Sequence, residues 1–316
     1  MATNLIRIQL DGAERWGVVT ASGITLLAGA YATTAALIEQ GEADWRAASM
    51  RPAGISLDST VVLSPVTAPC RIYCQGANYR QHMIESGIDP DAKSFNIFFT
   101  KSDASIASGR AAVRPPAHVK LLDYEIELAL IFKRSVSSDT RVTADTLKDY
   151  VFAIAVANDL SARDVQLPQT QFFKGKSYRG FCPIGPWLTV LEPDEFACLD
   201  DLQLQLSVNG RARQRDTTKN LVFKPAETIS ELTTFANVAP GDVLLTGTPS
   251  GCALRVPPPA LRRLLQLLPE QTLWRLFLKA QTRRTEYLRA GDRISARIWS
   301  ADGSIDLGEQ STEILD

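Results

Sequence analysis

The sequence predicts an α+β protein that is mainly β, and three observations carry that expectation. Apolar runs between residues 72 and 246 have strand length, as in Val151–Ala157. Turn residues recur along the chain, at Asp11-Gly12, Asn209-Gly210, Pro240-Gly241-Asp242 and Ala290-Gly291-Asp292. The longest helical spacing is confined to one late segment, residues 254–289.

Taken in order, LIRIQL and GVVT are β-type runs around the Asp11-Gly12 turn, and Thr33 to Glu39 is helical in pattern. Arg51-Pro52-Ala53-Gly54 breaks the pattern, Ser59 to Leu63 is a strand candidate, and Pro65 and Pro69 mark a linker. We expect a small N-terminal domain over residues 1–65 and a larger one over 66–316. In the larger unit the strand candidates are Ile97–Thr100, Tyr124–Phe132, Val151–Val156, Trp187–Val190, Leu202–Val208 and Val243–Thr246. Asp145–Asp149 and Thr228–Phe235 read as short helices. Within 254–289, Leu261, Leu264, Leu265 and Leu268 share a helical spacing, as do Leu273, Leu276 and Phe277. Pro269 should separate the two.

Composition narrows the function classes. The chain has 316 residues, with 34 Lys+Arg against 35 Asp+Glu, so the basic excess that nucleic-acid binding needs is missing. That balance is uneven: residues 254–289 hold eight Lys/Arg and two Glu, leaving −7 for the remainder. No apolar run reaches the roughly 20 residues of a membrane span, and the N-terminus lacks a signal-peptide layout. The five scattered cysteines read as reduced thiols, so a cytoplasmic location is expected.

Three motifs carry chemistry. In Asp123-Tyr124-Glu125-Ile126-Glu127-Leu128, strand periodicity puts the three acids on one face. Acids disfavour strands, and a hard divalent cation would compensate, although a solvated face explains the stripe equally well. Asp159 ends the apolar run VFAIAVA, where it caps a turn or adds a third oxygen ligand. His82 and Glu85 lie three apart, on one face if helical, as a carboxylate-oriented general base would. Gly175-Lys176-Ser177 lacks the first glycine of a phosphate loop, and no Gly-x-Ser-x-Gly elbow is present. Thr246-Gly247-Thr248-Pro249-Ser250-Gly251 is a loop that presents hydroxyls to an anion or is merely a turn.

In order, GANYRQHMIE, FFTKSDAS, DYEIELAL, ANDLSARDVQ, GKSYRGFCPIGPW, PGDVLLTGTPSG and YLRAGDRISARI resemble the fumarylacetoacetate hydrolase family across residues 72–306. The resemblance implies a mixed β-sandwich roll, a small α/β N-terminal domain and a homodimer. It implies Mg²⁺, with Mn²⁺ or Ca²⁺ in some members, held by Glu125, Glu127 and Asp159. The implied catalytic residues are His82, Glu85 and Lys176; Tyr79, Lys101, Arg163, Gln166 and Thr248 would contact substrate. The implied reaction is C–C hydrolysis of a β-diketo or 2-oxo acid such as an acylpyruvate. The alternative is decarboxylation, isomerisation or hydration of oxaloacetate-like or ring-cleavage 2-oxo diacids, the latter products of aromatic catabolism. Three features depart from the family pattern: Ser102 follows Lys101 where proline is usual, Arg179 replaces an acid, and 254–289 is a helical insertion in place of a short loop.

Overall fold

A computed structural model describes residues 1–256 and 269–316. Its elements are mainly strands with short helices, an α+β arrangement. The two apolar runs in the middle of the sequence make its centre. Ile126–Phe132 and Val151–Asn158 pair antiparallel, with Glu127 opposite Ala157 and Ile126 opposite Asn158. Every residue of both strands is buried, which is why neither shows a polar alternation: each face meets its own core.

One face of this pair carries Ile126, Leu128, Leu130, Ile154 and Val156 into the larger core. There they meet a second, five-stranded sheet in which Arg211–Thr217, Leu202–Val208, Arg293–Ser300, Asp306–Ile314 and Ala112–Val113 follow one another. Leu202–Val208 has only one inward face and alternates accordingly, burying Leu202, Leu204, Leu206 and Val208. The opposite face carries Ala129, Ile131, Ala153, Ala155 and Ala157, packed in the same core as Trp16, Leu37 and Trp45.

The central pair belongs to a twelve-stranded sheet that also takes in the N-terminal hairpin, Thr3–Leu10 and Ala13–Thr20. Thr3 opposes Val190 and Leu5 opposes Leu188, so the first strand is hydrogen-bonded to residues far along the chain. The Asp11-Gly12 and Asn209-Gly210 turns both have two consecutive positive φ angles, 50° and 77°, then 51° and 75°. That geometry closes two-residue hairpins whose twist matches the strands. Thr33 caps the helix Thr34–Gln40 by accepting from the Ala36 N–H at 3.1 Å.

The late segment is helical over Glu270–Thr282, directly after Pro269. The leucines at 261, 264, 265 and 268 lie outside the described residues. No described helix is long and apolar enough to cross a membrane.

Candidate active site

The acidic stripe is a continuous strand face only in part. The ladder breaks at Tyr124-Glu125, because side chains take over its bonds. Asp123 Oδ1 accepts from the Tyr124 N–H, Asn158 Oδ1 from the Glu125 N–H, and Gln214 Oε1 from the Ile126 N–H. The break separates Asp123 from the other two acids. Asp123 accepts from Arg163 Nε at 2.9 Å and from the Ala253 and Leu254 N–H groups at 2.7 and 3.0 Å. Glu125 and Glu127 instead meet Asp159, and one oxygen of each lies within 4.8 Å of the others, all three residues buried. Asp159 gets there because it lies two residues past Ala157, on the face that Glu127 shares. Its N–H donates to Glu125 O at 2.8 Å and holds the two strand ends together.

The electrostatics divide the three. Lys176 Nζ bonds Glu125 Oε2 at 2.7 Å and Asp159 Oδ2 at 2.5 Å, and Arg163 bonds the other Glu125 oxygen. Burial alone would raise the Glu125 carboxyl; Lys176 and Arg163 outweigh it and bring it to about 2. Burial also works against a charged Lys176, and Asp159 and Glu125 outweigh it, so the ammonium is held charged. Glu127 has no cationic partner at hydrogen-bond distance among the described residues and accepts from the Gly247 N–H at 2.7 Å. Burial and the neighbouring Asp159 and Glu125 push its carboxyl well above the ordinary value. Three buried carboxylates, one of them uncompensated, are a donor set that can hold a hard divalent cation; the ligand chemistry does not choose among such ions.

Around this cluster lies a cavity of about 250 Å³. His82, Glu125, Glu127, Arg163, Gln166, Lys176 and Thr248 line it, so the fold brings together most of the residues singled out from sequence. His82 sits in the helix Arg80–Glu85, and its buried Nδ1 has no partner among the described residues. Burial lowers its pKa, against the opposing pull of Glu125. Thr248 donates to Ile126 O at 2.9 Å and accepts from Gln214 Nε2 at 2.9 Å. Its hydroxyl thus ties the loop to the strand beneath it.

Three residues fall elsewhere. Glu85 does not bond His82; it pairs with Arg255 at 2.6 Å. Tyr79 is wholly buried in the larger core and does not line the cavity. Lys101 stands behind the cluster, its ammonium bonded to Asp159 and to the Lys176 and Phe181 carbonyls. Sequence reasoning assigned no role to Asp123, whose place in the acidic stripe was the signal. It also missed the apolar wall of Ile88, Ile97, Phe99, Phe172, Leu254 and Val256, which no local pattern marks.

Known proteins share this architecture. The oxaloacetate tautomerase YisK of Bacillus subtilis is 35% identical over 214 residues, covering 66% of this chain and 68% of that protein. The human mitochondrial oxaloacetate tautomerase FAHD2A is 32% identical over 238 residues, 73% of this chain and 74% of that one. The solved fumarylacetoacetate hydrolase of Exiguobacterium antarcticum matches 99% of both chains with a TM-score of 0.73 and 26% identity. The sequence model described as the C-terminal fumarylacetoacetate (FAA) hydrolase family matches residues 71–314 and leaves residues 1–70 and the last two residues outside. Since that match runs through the whole carboxylate cluster and its cavity, this chain belongs to the fumarylacetoacetate hydrolase family.

Proposed function

We propose that this chain is a divalent-cation-dependent enzyme that moves a proton between carbon and oxygen of a 2-oxo acid, interconverting its keto and enol forms. The observation that carries the reading is that His82, whose buried Nδ1 has no partner among the described residues, lines one cavity with Glu125 and Glu127, the two carboxylates that cluster with Asp159. Glu125, Glu127 and Asp159 would hold the cation, Mg²⁺ being the first candidate. When bound it supplies Lewis-acid stabilisation of an enolate oxygen. His82, kept neutral by burial, takes the proton from C3 of the keto form. The same proton, or one from solvent, returns to the enolate oxygen to give the enol. Gln166 lines the cavity with its Oε1 accepting from Arg163 Nη1 at 2.8 Å, which leaves its Nε2 to donate to a substrate carboxylate. Lys176 fixes Glu125 and Asp159 relative to each other.

Two tautomerases at 32–35% identity support this chemistry. C–C hydrolysis, as in an acylpyruvase, is the second reading, supported by the likeness to the Exiguobacterium hydrolase. It needs a water activated by His82 with Glu85 beside it, and Glu85 is engaged by Arg255. Enzyme with Mg²⁺ should be given a freshly dissolved enolic 2-oxo acid and, separately, an acylpyruvate. Faster loss of enol absorbance with no carboxylic acid released supports tautomerisation. Stoichiometric pyruvate and carboxylic acid would establish hydrolysis. Activity unchanged in His82→Ala would remove the residue from both. A cytoplasmic homodimer belongs to the same proposal and is tested by sedimentation and by fractionation of the native host.

A further inference from the structure

The cavity is lopsided. Its charged groups, Glu125, Glu127, Arg163 and Lys176, belong to the carboxylate cluster, whereas Ile88, Ile97, Leu167, Phe172, Leu254 and Val256 supply apolar surface, with the uncharged Gln75 and Ser86 also in the lining and Phe99 beside Lys176. Phe99 packs edge-on against Phe172 at 5.1 Å and lies 5.3 Å from Lys176 Nζ, so it closes the polar end. The cationic side chains that line the cavity are already committed. Arg163 bonds Asp123, Glu125 and Gln166; Lys176 bonds Glu125 and Asp159. Among the described lining residues no unpaired Lys or Arg faces the apolar end. A substrate's second carboxylate placed there would be desolvated without a counter-charge from the described lining residues. A hydrocarbon tail would gain burial instead.

Leu254 and Val256 come from the start of the insertion, where Ala253, Leu254 and Arg255 are held by backbone hydrogen bonds. The Ala253 and Leu254 N–H groups donate to Asp123, the carboxylate that also anchors Arg163. Gln281 Nε2 donates to Arg255 O at 2.9 Å, and Arg284 Nε donates to Ala253 O at 3.0 Å. The helix Glu270–Thr282 and the residues after it therefore brace this stretch of the wall.

We propose that Leu254 and Val256 are specificity-determining residues that select 2-oxo acids with an apolar tail over 2-oxo acids carrying a second carboxylate. This rests on the reading that the carboxylate cluster and its cation hold a 2-oxo acid head group. The head lies at Glu125, Glu127 and Asp159, and the tail runs along Phe172, Leu254 and Val256.

The test is calorimetric binding to the full chain at saturating Mg²⁺, independent of turnover. The ligands are 2-oxobutanoate, 2-oxopentanoate, 2-oxohexanoate and 2-oxoglutarate. Affinity should rise about fourfold per added methylene, the gain from burying one such group. The diacid 2-oxoglutarate should bind at least tenfold more weakly than 2-oxopentanoate, which has the same carbon chain. Leu254→Ala and Val256→Ala should flatten the chain-length series, Leu254→Met should preserve it, and Val256→Lys should favour 2-oxoglutarate. If 2-oxoglutarate binds as tightly as 2-oxopentanoate, the selection is wrong. A series unchanged in both alanine variants removes these residues from it. Failure of every 2-oxo acid to bind, with Mg²⁺ still taken up, refutes the head-group reading instead, and the proposal falls with it.

Discussion

Arg255 Nη1 lies 2.6 Å from Glu85 Oε2. A residue of the insertion thus holds the carboxylate that sequence spacing assigns to His82. The pair is partly exposed, so its direct worth to stability is under about 1 kcal/mol. Arg255→Met should therefore leave the urea midpoint nearly unchanged. It should also free Glu85 to act on the imidazole, raising the His82 pKa, since Glu85 already pulls it in that direction. An NMR titration of the imidazole checks this, and an identical curve in the variant would break the link.

Cation uptake should be readable as stability. Mg²⁺ at a hundredfold its Kd should add about 2.7 kcal/mol to the folded state, and a chelator should remove it. Glu127→Gln should abolish most of that increment. Without cation the same variant should be at least as stable as the parent, because it deletes an acid crowded by Asp159 and Glu125. Thermal melts with and without Mg²⁺ separate the two effects.

Asp123 should be a sensitive position for stability. Its buried carboxylate serves Arg163 and three backbone N–H groups, so Asp123→Ala leaves a buried guanidinium without one partner. The expected loss is about 3–5 kcal/mol in denaturant unfolding. Asp123→Asn keeps acceptor capacity and should cost less.

Acid should weaken the fold through His82. Its folded pKa lies below the ordinary 6.5, because burial disfavours the imidazolium. Below pH 6.5 the unfolded chain binds the extra proton first, so stability falls as pH drops from 6.5 through the folded value. Above pH 6.5 this contribution is complete. His82→Gln should flatten that part of the stability–pH curve, measured by unfolding at several pH values without added cation.

Much of this molecule could be read locally. Asp11-Gly12 and Asn209-Gly210 announced their hairpins because few residue pairs tolerate two positive φ angles. The buried pair Ile126–Phe132 and Val151–Asn158 announced itself by apolar content. What local pattern could not supply was the residue across the way. Strand periodicity put Asp123 beside Glu125, yet Arg163 and the Ala253 and Leu254 N–H groups claim it. Helical spacing put Glu85 beside His82, yet Arg255, far along the chain, engages it. The first strand likewise looks self-contained until Leu5 is seen opposite Leu188. Each of these outcomes was decided by competition among distant groups for a hydrogen bond or a charge.

The pairing of Glu127 with Ala157 and of Ile126 with Asn158 has a consequence for assembly. Side chains alternate between sheet faces, so a slip of one residue in one strand would send its carboxylate to the other side. Glu127 and Asp159 would then point to opposite sides, and the displaced carboxylate would be stranded in hydrocarbon. Misregistration is thereby penalised twice, in packing and in charge. A cation-uptake assay on refolded protein accordingly counts the molecules whose central strands have found their correct alignment.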